Sequence, residues 1–174
     1  MMTLANKITI VRIALIPVFI VTLLQGIHPV PAIIFSLTII TDALDGFVAR
    51  WKKQKTQLGS FLDPLADKLL MLSSFITLVY LKIIPLWIFV VILSRDLIIV
   101  LGWTLIYFLT NSKEITPRFL GKLTTIIQML TILFLLFKLP TQLMQALTTS
   151  MVIITAISCV DYLIAGSKKL GKQN

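Results

Sequence analysis

The stretch that decides the fold reads PAIIFSLTIITDALDGFVAR at residues 31–50, WKKQKTQLG at 51–59 and SFLDPLADKLLMLSSFITLVYL at 60–81. Two apolar segments of the length that crosses a bilayer as an α-helix flank a short basic segment. Next to that basic segment stand four aspartates, although the whole chain has only seven acidic residues. A carboxylate at membrane depth costs about 2.5–3.5 kcal/mol on insertion scales, so four of them need a strong compensating partner.

The composition of the whole chain points to a membrane protein. Of its 174 residues, 57% are hydrophobic and 13% charged, and the mean hydropathy is +0.99. A soluble domain of this length would carry about twice that charged fraction. The apolar run at 8–24 contains Arg12 and no A-x-A-like cleavage site follows it, so it is predicted as a first transmembrane helix and not a signal peptide. The single cysteine, Cys159, excludes an intrachain disulfide and is predicted to be a small buried hydrophobe.

Hydrophobic length and the Gly, Pro and Asn residues between the apolar runs predict an all-α polytopic membrane protein with one domain over 1–174. Six transmembrane helices are predicted, at residues 6–25, 31–50, 60–81, 85–109, 119–137 and 141–165.

The basic residues predict the orientation of these helices. With both termini cytoplasmic, thirteen of the sixteen Lys and Arg residues fall on the cytoplasmic side; Lys82 and Lys138 fall outside and Arg95 lies within a span. The positive-inside rule therefore favours this topology. The net charge of +9 is explained by orientation and by binding to anionic lipid headgroups. Nucleic acid is an unsuitable partner, because no basic soluble domain is present to bind it.

The four aspartates form two pairs at helical spacing. Asp42 and Asp45 are i and i+3, and Asp63 and Asp67 are i and i+4, so each pair shares one helix face. The topology brings the two pairs to the cytoplasmic ends of adjacent antiparallel helices. Carboxylates suit hard cations, and four can hold two Mg²⁺ or Mn²⁺ ions about 3.5–4 Å apart, as in phosphoryl chemistry. His28 is predicted on the opposite side and is therefore not expected to be a ligand.

Residues around the aspartates have two interpretations each. Gly46 and Ala49 would let a bulky substrate approach the helix backbone, or would let two helices pack closely. Arg50 would pair with a phosphate, or would extend towards the membrane interface. Pro64 is predicted in the first turn of the third helix, where proline is favoured.

The pattern D-x2-D-G-x2-A-R-x8-G-x3-D-x3-D, from Asp42 to Asp67, resembles the signature of the CDP-alcohol phosphatidyltransferases, which are six-helix membrane enzymes. The resemblance implies transfer of a phosphatidyl group from a CDP-linked lipid to an alcohol, with release of CMP, by a homodimer in the cell membrane whose active site faces the cytoplasm. By position, it implies two metal ions held by Asp42, Asp45, Asp63 and Asp67, with Asp67 also the base that takes the acceptor's proton. It implies a CDP site formed by Asp42, Asp45, Gly46, Ala49, Arg50 and Gly59.

Three further stretches bear on the acceptor alcohol. The segments at 6–12, 94–96 and 118–125 resemble those of phosphatidylglycerophosphate synthases and the related cardiolipin synthases. A cationic pocket of Arg95, Arg118 and Lys122 would suit an acceptor that carries a phosphate, with glycerol 3-phosphate preferred to the phosphatidylglycerol that cardiolipin synthases use. Alternatively, Arg95 forms an ion pair with Asp96 or Asp161, and the other two are ordinary cytoplasmic charges.

Two other classes of function compete with an enzyme. Intramembrane carboxylates also suit a divalent-cation transporter, but transporters hold their ions near the midplane and are built from repeats, neither of which this sequence predicts. A catalytically inactive scaffold is disfavoured because all four aspartates are present.

Overall fold

A computed structural model describes the backbone of residues 4–51, 57–110 and 119–171. Within these ranges the side chains are described except at 4–7, 43–51, 57–61, 103, 106, 107, 109, 110 and 168–171.

The regular elements of the described chain are all α-helices, which confirms the predicted all-α class and the predicted number of helices. The six helices are α1 (Leu4–Leu24), α2 (Val30–Trp51), α3 (Gln57–Tyr80), α4 (Leu86–Thr110), α5 (Phe119–Leu136) and α6 (Thr141–Gly171).

Membrane-crossing character is clearest in the last two helices. Among the described residues, the segments Phe119–Leu136 and Thr141–Ser167 are long and apolar enough to cross a membrane, whereas Ile8–Leu24 and Val30–Asp42 are shorter apolar stretches. Six membrane spans and the cytoplasmic position of both termini stay predictions.

Helices α1, α2 and α3 belong to the first of two compact units, which covers Met1–Ile83 and Leu135–Lys138. In this unit α1 packs against both α2 and α3. The rings of Phe19 in α1 and Phe35 in α2 are both fully buried, with centroids 5.8 Å apart. From α3 the unit buries Leu70, Phe75 and Leu78. The first helix is therefore the packing partner shared by the two helices that carry the aspartates.

The second unit covers Ile84–Phe134 and Leu139–Asn174, and in it α4 packs against α6. Its interior includes a row of buried polar side chains at helical spacing. The hydroxyls of Thr124, Thr131 and Thr155 each donate to the carbonyl four residues earlier in their own helix, which satisfies them without a partner helix. Gln128 reaches across from α5 to Thr155 on α6, with 3.5 Å between Nε2 and Oγ1. The prediction of one domain stays a prediction.

Two helices extend by three residues or more beyond the predicted boundaries. Helix α3 begins at Gln57 and not at residue 60, so Pro64 lies inside the helix and its predicted place in the first turn is wrong. Helix α6 continues through Ser167 to Gly171, six residues past the predicted end. In both cases the apolar run is shorter than the helix, because polar residues such as Gln57 extend a helix without adding hydrophobic length.

Three helices end with the same backbone arrangement. After α1, Gly26 has a φ of 68°; its N–H donates to the carbonyl of Leu23, and the N–H of Ile27 donates to Thr22. The same pair of bonds closes α3 around Lys82 and α5 around Lys138. These two lysines adopt φ values of 58° and 51°, in the left-handed region that glycine favours at this position.

We expect Lys82→Gly to stabilise the protein by about 0.5–1 kcal/mol, because glycine removes the steric cost of the left-handed conformation at an exposed position. Thermal unfolding in detergent measures the change as a rise in Tm. Lys82→Ala is the matched control, since it removes the same charge but keeps Cβ. A glycine variant no more stable than the alanine variant would contradict this prediction.

Candidate active site

All four signature aspartates lie in the helices predicted for them. Asp42 and Asp45 lie in the second half of α2, and Asp63 and Asp67 lie in the first half of α3. The side chain of Asp45 is outside the described residues, so the site geometry rests on the other three. Asp42 and Asp63 are both close enough to Asp67 for their charges to interact with it.

Arg12 of α1 joins the two aspartate-bearing helices. Its Nη1 donates to Oδ1 of Asp42 at 2.7 Å and to Oδ1 of Asp67 at 3.1 Å. The two carboxylate oxygens are therefore no farther apart than the sum of these distances. The Arg12 side chain is 2% exposed, whereas those of Asp42 and Asp67 are 38% and 27% exposed. The cation is thus enclosed by protein while the carboxylates keep an accessible side.

Thr9 holds a third carboxylate from the same helix. Its hydroxyl donates to Oδ1 of Asp63 at 2.6 Å, and the residue is 1% exposed. Thr9 and Arg12 are i and i+3 on α1 and so share one helix face. This Thr9–Arg12 pair contacts all three described signature aspartates, and none of these contacts was predicted from the sequence.

One signal in the sequence could have identified the pair. Arg12 is a cation inside an apolar helix, where it needs a partner of opposite charge. A threonine stands one turn away on the same face. The four unpaired aspartates were the obvious candidates, but the sequence does not state which helix packs against them.

The described residues fit a divalent cation by their chemistry. Two carboxylate oxygens from different helices already converge on one positive group, the Arg12 Nη1, and both carboxylates retain accessible surface. Oxygen donors of this kind are what Mg²⁺ and Mn²⁺ prefer. Among the described side chains, no three His, Cys, Asp or Glu groups are close enough to share one ion. Asp45, whose side chain is outside the described residues, is the fourth residue predicted to bind the metals.

The remaining residues predicted to bind CDP lie beside these aspartates in the chain. Gly46, Ala49 and Arg50 belong to α2, and Gly59 belongs to α3, but their side-chain surroundings are outside the described residues. His28 lies in the turn before α2. Asp42 lies twelve residues after Val30, the first residue of α2, which is about 18 Å along the helix axis. That His28 is not a ligand stays a prediction.

Arg95 of α4 forms a separate polar cluster in the second unit. Its Nη1 donates to Oδ1 of Asp96 at 2.7 Å and its Nη2 donates to Oγ of Ser158 at 3.1 Å. The guanidinium carbon lies 6.0 Å from the ring centroid of Tyr162. Arg95 is 6% exposed, and its buried Nε has no hydrogen-bond partner among the described residues. The predicted alternative, an ion pair with Asp96, is thus present, and most of the guanidinium is already engaged.

The other two residues predicted to bind the acceptor lie at the start of α5. Lys122 is exposed, and Arg118 is outside the described residues. Gly121 approaches the Arg95 cluster so closely that a Cβ there would lie 3.2 Å from Nη2 of Arg95 and 3.3 Å from the Tyr162 hydroxyl. Because residue 121 is a glycine, α5 can approach Arg95 closely at this point. Lys122 is the next residue in the chain.

Comparison with known proteins identifies the family of the chain. Residues 2–160 match the family model for CDP-alcohol phosphatidyltransferase. The CDP-diacylglycerol–glycerol-3-phosphate 3-phosphatidyltransferase of Bacillus subtilis is 37% identical over 161 residues, which cover 83% of this chain and 82% of that protein. The enzyme of the same name from Haemophilus influenzae is 34% identical over 137 residues, covering 75% and 74%.

A cardiolipin synthase also matches, but over less of its length. The rat cardiolipin synthase (CMP-forming) is 39% identical over 121 residues, which cover 69% of this chain but only 39% of that protein. The family match, the identities and the carboxylates gathered around α1 lead to one conclusion. The chain belongs to the CDP-alcohol phosphatidyltransferase family.

Proposed function

We propose that this protein transfers the phosphatidyl group of CDP-diacylglycerol to glycerol 3-phosphate, giving phosphatidylglycerophosphate and CMP. The observation that carries the proposal is the convergence of Asp42, Asp63 and Asp67 on the Thr9–Arg12 pair. Such a cluster of carboxylates beside apolar helices suits a reaction between a charged headgroup and a lipid-anchored donor. The relatives that match over most of their length are named for this reaction.

The four aspartates would hold two divalent ions, Mg²⁺ or Mn²⁺. When bound, these ions would neutralise the pyrophosphate of the donor and the leaving CMP. Asp67 accepts the proton of the acceptor hydroxyl, since its side chain is partly exposed and stands among the other carboxylates. Asp42, Asp45, Gly46, Ala49, Arg50 and Gly59 bind the CDP group.

We further propose six membrane spans with both termini in the cytoplasm, in the cell membrane, and an active site that faces the cytoplasm. The positive-inside distribution of Lys and Arg supports this orientation. The acyl chains of the donor then stay in the bilayer while its headgroup reaches the aspartates. The protein would work as a homodimer in contact with membrane lipids, as its family resemblance suggests.

For the acceptor, we propose that Arg118, Lys122 and Arg95 form the phosphate site. Lys122 is the most available of the described groups because it is exposed. Arg95 is buried and donates to Asp96 and Ser158, so its contribution to an acceptor would come through its unpartnered Nε or through displacement of these partners.

An acceptor comparison tests the proposed function. Purified protein is given CDP-diacylglycerol and Mn²⁺, and CMP release is followed with glycerol 3-phosphate, phosphatidylglycerol, serine or inositol phosphate as the acceptor. We expect CMP release with glycerol 3-phosphate to be at least about 100-fold faster than with serine or phosphatidylglycerol, because a site that binds a phosphate monoester discriminates strongly against alcohols that lack one. Inositol phosphate also carries a monoester, so it tests whether the site recognises the glycerol part of the acceptor. EDTA should stop the reaction.

The control is the same reaction without acceptor, which measures hydrolysis of the donor. Faster CMP release with phosphatidylglycerol would favour cardiolipin synthase activity, the second candidate suggested by the partial match to the rat enzyme. CMP release with none of the acceptors would contradict the proposed function altogether.

A further inference from the structure

Arg12 occupies a position that the proposed metal ions would compete for. Its Nη1 lies within hydrogen-bond distance of Oδ1 of both Asp42 and Asp67, two of the four residues proposed to hold the metals. A guanidinium and a divalent ion attract the same carboxylates and repel each other. The Arg12 side chain is almost fully buried, so solvent screens its attraction to the carboxylates and its repulsion of a metal ion only weakly.

We propose that Arg12 is the counter-cation of the metal-free site, holding Asp42 and Asp67 together until divalent ions take over their charge. This inference rests on the metal dependence in the proposed function. Arg12 is thus a positioning residue that stabilises the metal-free enzyme and weakens metal binding. Thr9 has a different part, since its neutral hydroxyl positions Asp63 without adding charge.

Loss of the Arg12 charge should destabilise the metal-free protein and strengthen the binding of metal. Without Arg12 the carboxylates repel each other, so the metal-free protein should be less stable. Added metal should then stabilise the variant more than it stabilises the wild type, because no guanidinium opposes it. If Arg12 were purely structural, its loss would lower the stability of the metal-free and the metal-bound protein equally and leave metal affinity unchanged.

The experiment uses the full chain in detergent with Mn²⁺ alone, without lipid substrate. Bound Mn²⁺ is measured by electron paramagnetic resonance, and Tm is measured with and without Mn²⁺. For Arg12→Met we expect about tenfold tighter Mn²⁺ binding, a lower metal-free Tm and a larger rise in Tm on addition of Mn²⁺. Arg12→Lys keeps the charge, and its Mn²⁺ affinity and Tm values should lie between those of the wild type and Arg12→Met. This variant keeps the test valid if Arg12→Met fails to fold.

Two matched controls separate charge from packing. Thr9→Val removes a neutral contact in the same cluster and should not tighten Mn²⁺ binding. Lys82→Asn removes one positive charge beyond the far end of α3, roughly 28 Å from Asp63 along the helix, and should leave Mn²⁺ binding unchanged.

The outcomes distinguish this inference from the proposed function. If the wild type binds no Mn²⁺, the proposed metal site is wrong and the counter-cation role falls with it. If the wild type binds Mn²⁺ but Arg12→Met and Arg12→Lys bind it no more tightly, the metal site stands and only the inference about Arg12 is overturned. Equal tightening in Thr9→Val would also overturn it, because the effect would not depend on charge.

Discussion

Asp67→Asn should lower the rate of CMP release by at least about 100-fold, the contribution typical of a general base. Asparagine has nearly the same shape as aspartate but accepts no proton at neutral pH. It also removes the charge that pairs with Nη1 of Arg12. The measurement is CMP release from CDP-diacylglycerol with glycerol 3-phosphate at saturating Mn²⁺, together with binding of a CDP nucleotide, which should remain detectable.

Asp63→Asn is the matched control for this prediction. Asp63 is proposed to bind metal but not to take the proton, so excess Mn²⁺ should recover part of its activity. The same excess should not rescue Asp67→Asn. Near-normal turnover in Asp67→Asn would rule out Asp67 as the base, and rescue of both variants to the same degree would reduce Asp67 to a metal ligand.

Arg95→Met should lower the free energy of unfolding by about 3–5 kcal/mol, because it leaves the Asp96 carboxylate without the cation that now pairs with it. It also removes the hydrogen bond to Ser158, which joins α4 to α6. Methionine fills much of the same volume, so the loss reports the charge and the hydrogen bonds more than a cavity. Denaturant or thermal unfolding in detergent measures the effect.

Lys122→Met provides the comparison for Arg95→Met. It also removes one positive charge proposed for the acceptor site, but from an exposed position, so its effect on stability should be within about 0.5 kcal/mol. If both residues bind the acceptor phosphate, both variants should raise the KM for glycerol 3-phosphate. A stable Arg95→Met protein with a raised KM would show that the ion pair with Asp96 contributes little to the fold.

The double substitution of Arg95→Met with Asp96→Asn sharpens the structural part of this prediction. Removing both charges should restore much of the stability lost in the single variant, since the Asp96 charge is then removed together with the Arg95 cation that pairs with it. Strictly additive losses would contradict the importance of the pair.

Much of the helical arrangement could be predicted from the sequence because it depends on local patterns. Apolar length and breakers predicted six helices, and the boundaries differ by more than two residues only at the start of α3 and at the end of α6, where polar residues extend the helix. The left-handed lysines 82 and 138 were not predicted, because glycine is the usual residue at that position and lysine carries no signal for it.

In the cluster around Arg95, only the contact between neighbours in the chain could be predicted from the sequence. An ion pair between Arg95 and Asp96 was foreseen as an alternative, since the two residues are adjacent in the chain. The contact of Arg95 with Ser158, 63 residues away, was not. The closeness of Gly121 to Arg95 and Tyr162 was not predicted either, because it depends on side chains from two other helices.

The sequence by itself determined the reaction family, the helices and the shared faces of the aspartate pairs, because spacing along a helix fixes which residues face the same way. Only the tertiary structure decided that α1 completes the aspartate cluster. Arg12 and Thr9 meet Asp42, Asp63 and Asp67 across separations of 30, 54 and 55 residues. Contacts at such separations depend on which apolar faces pack together, and α1 is almost equally apolar on all sides, so its sequence does not indicate which side faces the aspartates.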